Sequence, residues 1–313
     1  MDQRIWPRLD CNRLPNARQR DALWKSSLQV GACVGLGRYL RRHIAVPIVE
    51  RLDMQSQLLL EMHLQQLFRT PPYDDPKRLE RYGFRSFSQN DEDGILQEVF
   101  RRIGTSSKTF VEFGVQDGLQ NNTRLLLYQG WRGLWIEADA NACRRMQRSF
   151  AAEIASGQLQ VRQSLVTAEN IMDLIGAARL GDIDLLSIDI DGNDYWIWEA
   201  ISLRPKVLVI EYNAKFPPPT KWVVQYDPQH VWDYTDYQGA ALESLTDLGQ
   251  RKGYALVGCC LAGVNAFFVR DDLVQDRFAQ PDTKALYNQP RYYMQRFLAS
   301  GHPSGPFGRY VSR

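Results

Sequence analysis

Acidic side chains recur at the ends of short apolar runs, and chemistry would be expected at those ends. Thr109-Phe110-Val111-Glu112-Phe113 breaks at Gly114 into a tight loop through Gln116, Asp117 and Gly118. Leu134-Trp135-Ile136 ends on Glu137, with Ala138 beyond it. Asp184 to Ile188 ends on Asp189, with Asp191 two residues on; Lys206 to Ile210 ends on Glu211, with Asn213 two residues on. Glycines let backbone come close to a ligand, and an acid at a second strand tip suits ribose hydroxyls. Any one of these acids could equally be a helix cap or a turn residue. Carboxylates at four tips are more than a sheet needs for stability, because a buried carboxylate is costly unless paired. Together they point to a ligand site along one edge of a sheet.

Placing those tips side by side requires parallel strands joined by helices. Thr109 to Asp139 reads as strand, glycine loop, helix through Asn122, Thr123 and Leu125–Leu127, strand and acid: one βαβ unit of a nucleotide-binding fold. The alternation continues with a helix over 141–154, a strand over 159–166 that exits through Ser164, a helix over 168–178, a strand over 184–189, a helix over 196–201 and a strand over 206–211. This predicts a parallel sheet with helices on both faces. After a helix over 239–248, Gly253–Val257 and Asn265–Val269 lie too close in sequence for a crossover helix, so they must pair antiparallel. The expected fold class is α/β: a Rossmann-like, seven-stranded, mostly parallel sheet with an antiparallel last strand and an N-terminal helical extension. The expected division is an arm and helical extension over 1–76, the sheet domain over 77–275, and an aromatic, basic tail over 276–313 with a short helix at Tyr292–Leu298.

With 313 residues the chain can bury a full core, and its net charge of +2 with no long Lys/Arg run argues against nucleic acid as a partner. Its five cysteines show no CxxC spacing and read as reduced thiols of a cytoplasmic protein. Met1 to Arg20 is polar and basic, unlike a signal peptide. No apolar run reaches the ~18 residues needed to cross a bilayer. Leu28 to Ile48 carries Arg38, Arg41, Arg42 and His43 among apolar residues. It reads as a packing helix, with peripheral contact to the inner face of a membrane as the alternative. Val49 to Phe68 is strongly helical, either a homo-oligomer helix or a cover for the main domain. Ser88 with Asp91 or Glu92 is expected to cap the helix that follows, and Gln89 to reach the ligand only as a lesser reading.

Val111 to Gly118 resembles motif I of S-adenosylmethionine-dependent methyltransferases, with Gln116 where the middle glycine would stand, and Trp135-Ile136-Glu137 resembles that family's ribose-binding acid. Ser86 to Gly94, Asn121-Asn122-Thr123, Ser187 to Gly192 and Asn265 to Arg270 resemble the FkbM-type enzymes, which act mostly on hydroxyls of sugars and secondary metabolites. The resemblance covers roughly residues 82–272. It implies the class I methyltransferase fold, S-adenosylmethionine as cofactor, and a hydroxylated, carbohydrate-like acceptor. The cofactor contacts it implies are Glu112, Gly114, Gln116, Asp117, Gly118, Asn122, Thr123, Glu137, Ala138, Ser164 and Asp189.

Similarity to catechol-type O-methyltransferases implies Mg²⁺ on Asp189, Glu211 and Asn213, with Asp191 able to replace one of them, and such hard oxygen ligands suit that ion. Asp191 is the first candidate for the base that takes the acceptor's proton, and His230 the second. His230 lies in the aromatic segment 215–238, where Trp222, Tyr226, Trp232, Tyr234 and Tyr237 either stack on a sugar face or pack the segment onto the sheet. Two other readings are open. One is a dinucleotide-dependent dehydrogenase, against which stands the absence of G-x-G-x-x-G. The other is a non-catalytic protein that binds the same donor or a partner.

Overall fold

The computed structural model describes residues 46–232 and 235–294. The chain divides into two units, Met1–Leu60 and Glu61–Arg313. A 22-residue helix, α1 (Val46–Leu67), matches the helix read over Val49–Phe68 and leaves Leu52, Leu58, Leu59 and Met62 exposed. No described helix is long and apolar enough to cross a membrane. Most of the basic Leu28–Ile48 stretch, most of the helix read at Tyr292–Leu298, and Tyr234 lie outside the described residues.

The second unit alternates as its sequence predicts. After α2 (Glu92–Ile103) come β1 (Thr109–Phe113), α3 (Arg124–Tyr128), β2 (Arg132–Glu137), α4 (Ala140–Ser149), α5 (Ala151–Ala155) and β3 (Leu159–Gln163). Next are α6 (Ile171–Ala177), β4 (Leu185–Ile188), α7 (Asp194–Ala200) and β5 (Val207–Glu211). The chain continues through α8 (Leu242–Lys252), β6 (Tyr254–Cys259), β7 (Asn265–Arg270), α9 (Asp271–Val274) and α10 (Thr283–Leu286).

The seven strands form one sheet in the order β3-β2-β1-β4-β5-β7-β6. The first five run parallel, while β7 inserts antiparallel between β5 and β6. This is the topology expected for class I methyltransferases, and the inserted strand separates it from the dinucleotide dehydrogenases.

Alternate residues of the strands face opposite ways into two apolar layers, as sheet geometry requires. Val111, Phe113, Leu208 and Ile210 pack with Ile171, Ile175, Ile197, Trp198 and Leu245 from α6, α7 and α8. Phe110, Trp135, Val207, Val209 and Phe267 pack with Ile95, Val99, Met146 and Phe150 on the other face. Both faces being covered explains why the strands read as near-continuous apolar runs rather than alternating ones. The switch in strand order falls between β1 and β4, and the crevice beyond their carboxyl ends is where open α/β sheets place ligands.

Candidate active site

Two cavities open at that crevice and share Gly114, Gln116, Asp189 and Asp191. The first, about 170 Å³, adds Glu137, Ala138 and Ser164 from the ends of β2 and β3, together with Asn193, Pro228 and His230. The second, about 400 Å³, adds Gln89, Glu211, Asn213, Lys215, Trp232, Gln238 and Tyr292.

The glycine loop is shaped by close approach and by hydrogen bonds. A Cβ on Gly114 (φ 71°) would stand 1.6 Å from the Asp189 carbonyl, so only glycine lets β1 leave the sheet this close to β4. Gln116 occupies the left-handed region at φ 50°, the backbone a middle glycine would adopt. Glu137 holds it there: one carboxylate oxygen accepts the Gln116 N–H at 2.7 Å, the other the Asp139 N–H at 2.8 Å. Each oxygen keeps a lone pair for a ligand hydroxyl.

Several of the residues expected at the cofactor also brace that loop. Glu112 borders neither cavity. It is buried and accepts from Asn122 N (2.8 Å), Thr123 N (3.1 Å), Thr123 Oγ1 (2.5 Å) and Ser187 Oγ (3.2 Å). Burial pushes its carboxyl up to about 7 against the pull of those donors. Asn122 Nδ2 donates to Ser187 Oγ, and Thr123 Oγ1 receives the Trp135 indole N–H. Asp117 accepts the Leu119 N–H and faces Arg145. Gly118 is needed because a Cβ there would meet Trp135, Phe150 and Met146. Of these residues, Asp117 and Gly118 lie in the loop that sequence spacing marked.

The acids beyond β4 and β5 do converge. Asp189, Asp191 and Glu211 each offer an oxygen, all within 4.8 Å of one another. Among the described residues none of the three takes a hydrogen bond or an ion pair. Burial, then the neighbouring carboxylates, raises Asp189 and Glu211 well above the usual carboxylate range, and Asp191 to about 6. Asp191 itself sits at φ 55°. Buried Asp194 fixes it by accepting the Ile190 and Gly192 N–H groups, both at 2.9 Å, on either side.

Asn213 is tied to the segment that follows it. It borders the second cavity, but its Oδ1 accepts the Lys215 N–H and its NH₂ donates to the Asp236 and Gln238 carbonyls. Of the oxygens read as a set, Asp189 and Glu211 converge, and the third carboxylate beside them is Asp191, the alternative ligand. Three donor-free carboxylates in one cavity fit a hard divalent cation.

His230 borders the first cavity and not the second. Of the aromatic residues in its segment, Trp232 borders the second cavity. Trp222 stacks on Phe216 within the segment, and Tyr226 bonds Glu169 and Ala168, which fastens the segment to the loop after β3. Leu165, Val166, Asn193 and Pro228 are lining residues that sequence reasoning missed; only the first two, directly after Ser164, carried a positional signal.

No family model matches the chain, and no curated protein sequence does. Among solved structures it is similar to the N-terminal domain of EvdMO1 with SAH bound, at 13% identity and TM-score 0.40, over 67% of this chain and 93% of that one. It is also similar to an S-adenosylmethionine-dependent methyltransferase from Clostridium acetobutylicum ATCC 824, at 10% and 0.38, over 67% and 99%. The pyocyanin biosynthetic protein PhzM aligns at 12% and 0.34, over 55% of this chain and only 53% of its own. The functional reading therefore stands on the site itself.

Proposed function

We propose that the chain is an S-adenosylmethionine-dependent O-methyltransferase of FkbM-like type, acting on a hydroxyl of a carbohydrate-like acceptor. The observation that carries this is the pair of cavities meeting at Gly114, Gln116, Asp189 and Asp191, one lined by Glu137 and the other by converging carboxylates. Glu137, Ala138 and Ser164 would hold the nucleoside of the donor, with Gly114 and Gln116 presenting backbone beside it. The donor, when bound, supplies an electrophilic methyl on a sulfonium sulfur. Asp189 and Glu211 would hold Mg²⁺, which would supply Lewis acidity toward the acceptor oxygen, and Asp191 beside them would stay free as the base.

The chain's own residues then have three tasks. The carboxylate of Asp191 accepts the hydroxyl proton as the methyl passes from sulfur to oxygen and a neutral thioether is left. Asp194 keeps that carboxylate aimed by gripping the N–H groups on both sides of it. Gln89, Trp232 and Tyr292 give the second cavity the mix of amide and aromatic surface that a sugar ring requires.

Calorimetry with S-adenosylhomocysteine and with NAD tests the donor: binding of the first and not the second is expected, and the reverse would return the dehydrogenase reading. Mg²⁺ should raise turnover of an acceptor, and EDTA should suppress it. Full activity in chelator would remove the ion from the mechanism. Tight nucleoside binding with no turnover of any hydroxylated acceptor would leave a non-catalytic binding protein.

A further inference from the structure

Gly192 and His230 stand 38 positions apart in sequence, and nothing in the transfer mechanism uses either of them. The imidazole packs directly against Gly192: a Cβ added there would come within 2.3 Å of His230 Cδ2 and 2.9 Å of Nε2. The turn carrying the ring is fastened as well. His230 N donates to the Asp227 carbonyl at 2.9 Å, and Asn193 Nδ2 donates to the same carbonyl at 2.7 Å. Asn193, directly before α7, therefore ties this turn to the loop that carries Asp191. Held this way, the ring borders the first cavity together with Glu137, Ala138 and Ser164. Its Nε2 is buried and has no hydrogen-bond partner. A buried ring nitrogen left unpaired is unfavourable and is expected to find a partner when a ligand arrives.

We infer that His230 binds the donor, its Nε2 hydrogen-bonding the nucleoside, and that Gly192 is glycine to seat that ring. This rests on reading the first cavity as the donor's. A general base must come within hydrogen-bond reach of the acceptor's proton. His230 does not border the cavity that holds Glu211, Trp232 and Tyr292. An imidazole nitrogen either donates to or accepts from a ribose hydroxyl, which offers both functions, so either tautomer serves.

The test is S-adenosylhomocysteine affinity by calorimetry, with melting temperature as the check on folding, and it needs no acceptor. His230→Ala should weaken binding about tenfold at unchanged melting temperature. His230→Gln, which places an amide nitrogen near the Nε2 position, should recover most of that loss. Gly192→Ala should weaken binding by a similar factor by displacing the ring, and should add nothing in the His230→Ala background, because the two act as a unit. Wild-type affinity in His230→Ala would overturn the inference while leaving the donor reading intact. So would independent, multiplying losses in the double variant. A wild-type protein that does not bind the sulfur nucleoside at all would bring down both.

Discussion

Two acidic clusters lie near the carboxyl ends of the strands, and they behave as opposites. Asp189, Asp191 and Glu211 form one; Asp91, Glu92 and Cys260 form the other, with its ligand-type atoms equally within 4.8 Å of one another. In the second cluster most of the capacity is taken by backbone and amide donors, and among the described residues only its Asp91 Oδ1 is left without a partner. Glu92 accepts from Asn90 N and Nδ2, both at 2.8 Å, and from Asn265 Nδ2 at 2.9 Å. Cys260 Sγ accepts the Val264 and Asn265 N–H groups, and Asp91 accepts the Leu261 N–H. Neighbouring Asp93 takes the N–H groups of Ser86, Phe87 and Ser88, and of the expected caps on α2 it is Ser88 whose Oγ accepts a first-turn N–H, that of Asp93 at 3.2 Å, while Asp91 makes no side-chain cap. The closed cluster welds the segment before α2 to β7, whereas the open one faces a cavity with its oxygens unpaired. What separates a site from a brace is the supply of donors around the acids, not their number or spacing.

Stability should divide along the same line. Glu92→Ala strands three buried donors, each worth about 1–3 kcal/mol when left unpaired, so a loss of about 3 kcal/mol or more is expected in urea unfolding. Affinity of the folded protein for S-adenosylhomocysteine should stay within about twofold. A small stability loss combined with lost binding would erase the contrast between the clusters. The open cluster should respond the other way. Asp189→Asn removes one of several mutually repelling carboxylates, so stability should hold or rise by about 1 kcal/mol. Mn²⁺ affinity, followed by electron paramagnetic resonance, should fall at least about tenfold. Marked destabilisation with unchanged Mn²⁺ binding would make Asp189 a brace too.

The sheet was legible because its strands are apolar on both faces and end on acids, and the close spacing of the last two forced them antiparallel. The loop from Gly114 to Gly118 was legible as a loop, and Gln116 adopts the backbone expected of the glycine it replaces. Less visible was the direction in which each acid points. Glu112 and Glu137 both follow apolar residues and look alike in sequence, yet one is enclosed by Asn122, Thr123 and Ser187 while the other faces a cavity. Contacts of the 215–238 segment were hidden for another reason. Bonds such as Asn193 to Asp227, 34 residues apart, and Tyr226 to Glu169, 57 apart, join loops with no periodic pattern to betray them.

The smallest expected effect sharpens the account of the closed cluster. Burial, and next the neighbouring Glu92, raises Asp91 to about 8, while the Leu261 N–H pulls the other way. A carboxyl raised on folding is protonated in the native state and ionised in the unfolded chain above its ordinary value near 4. The stability it contributes is therefore full below about pH 4 and is lost as pH climbs toward 8. Between pH 5 and 7 this group alone should lower unfolding free energy by up to about 1.4 kcal/mol per pH unit. In Asp91→Asn the amide oxygen can still accept the Leu261 N–H, but no proton is exchanged, so urea unfolding across that window should show a shallower slope. An identical slope in the two proteins would mean that Asp91 is ionised in the fold despite its burial.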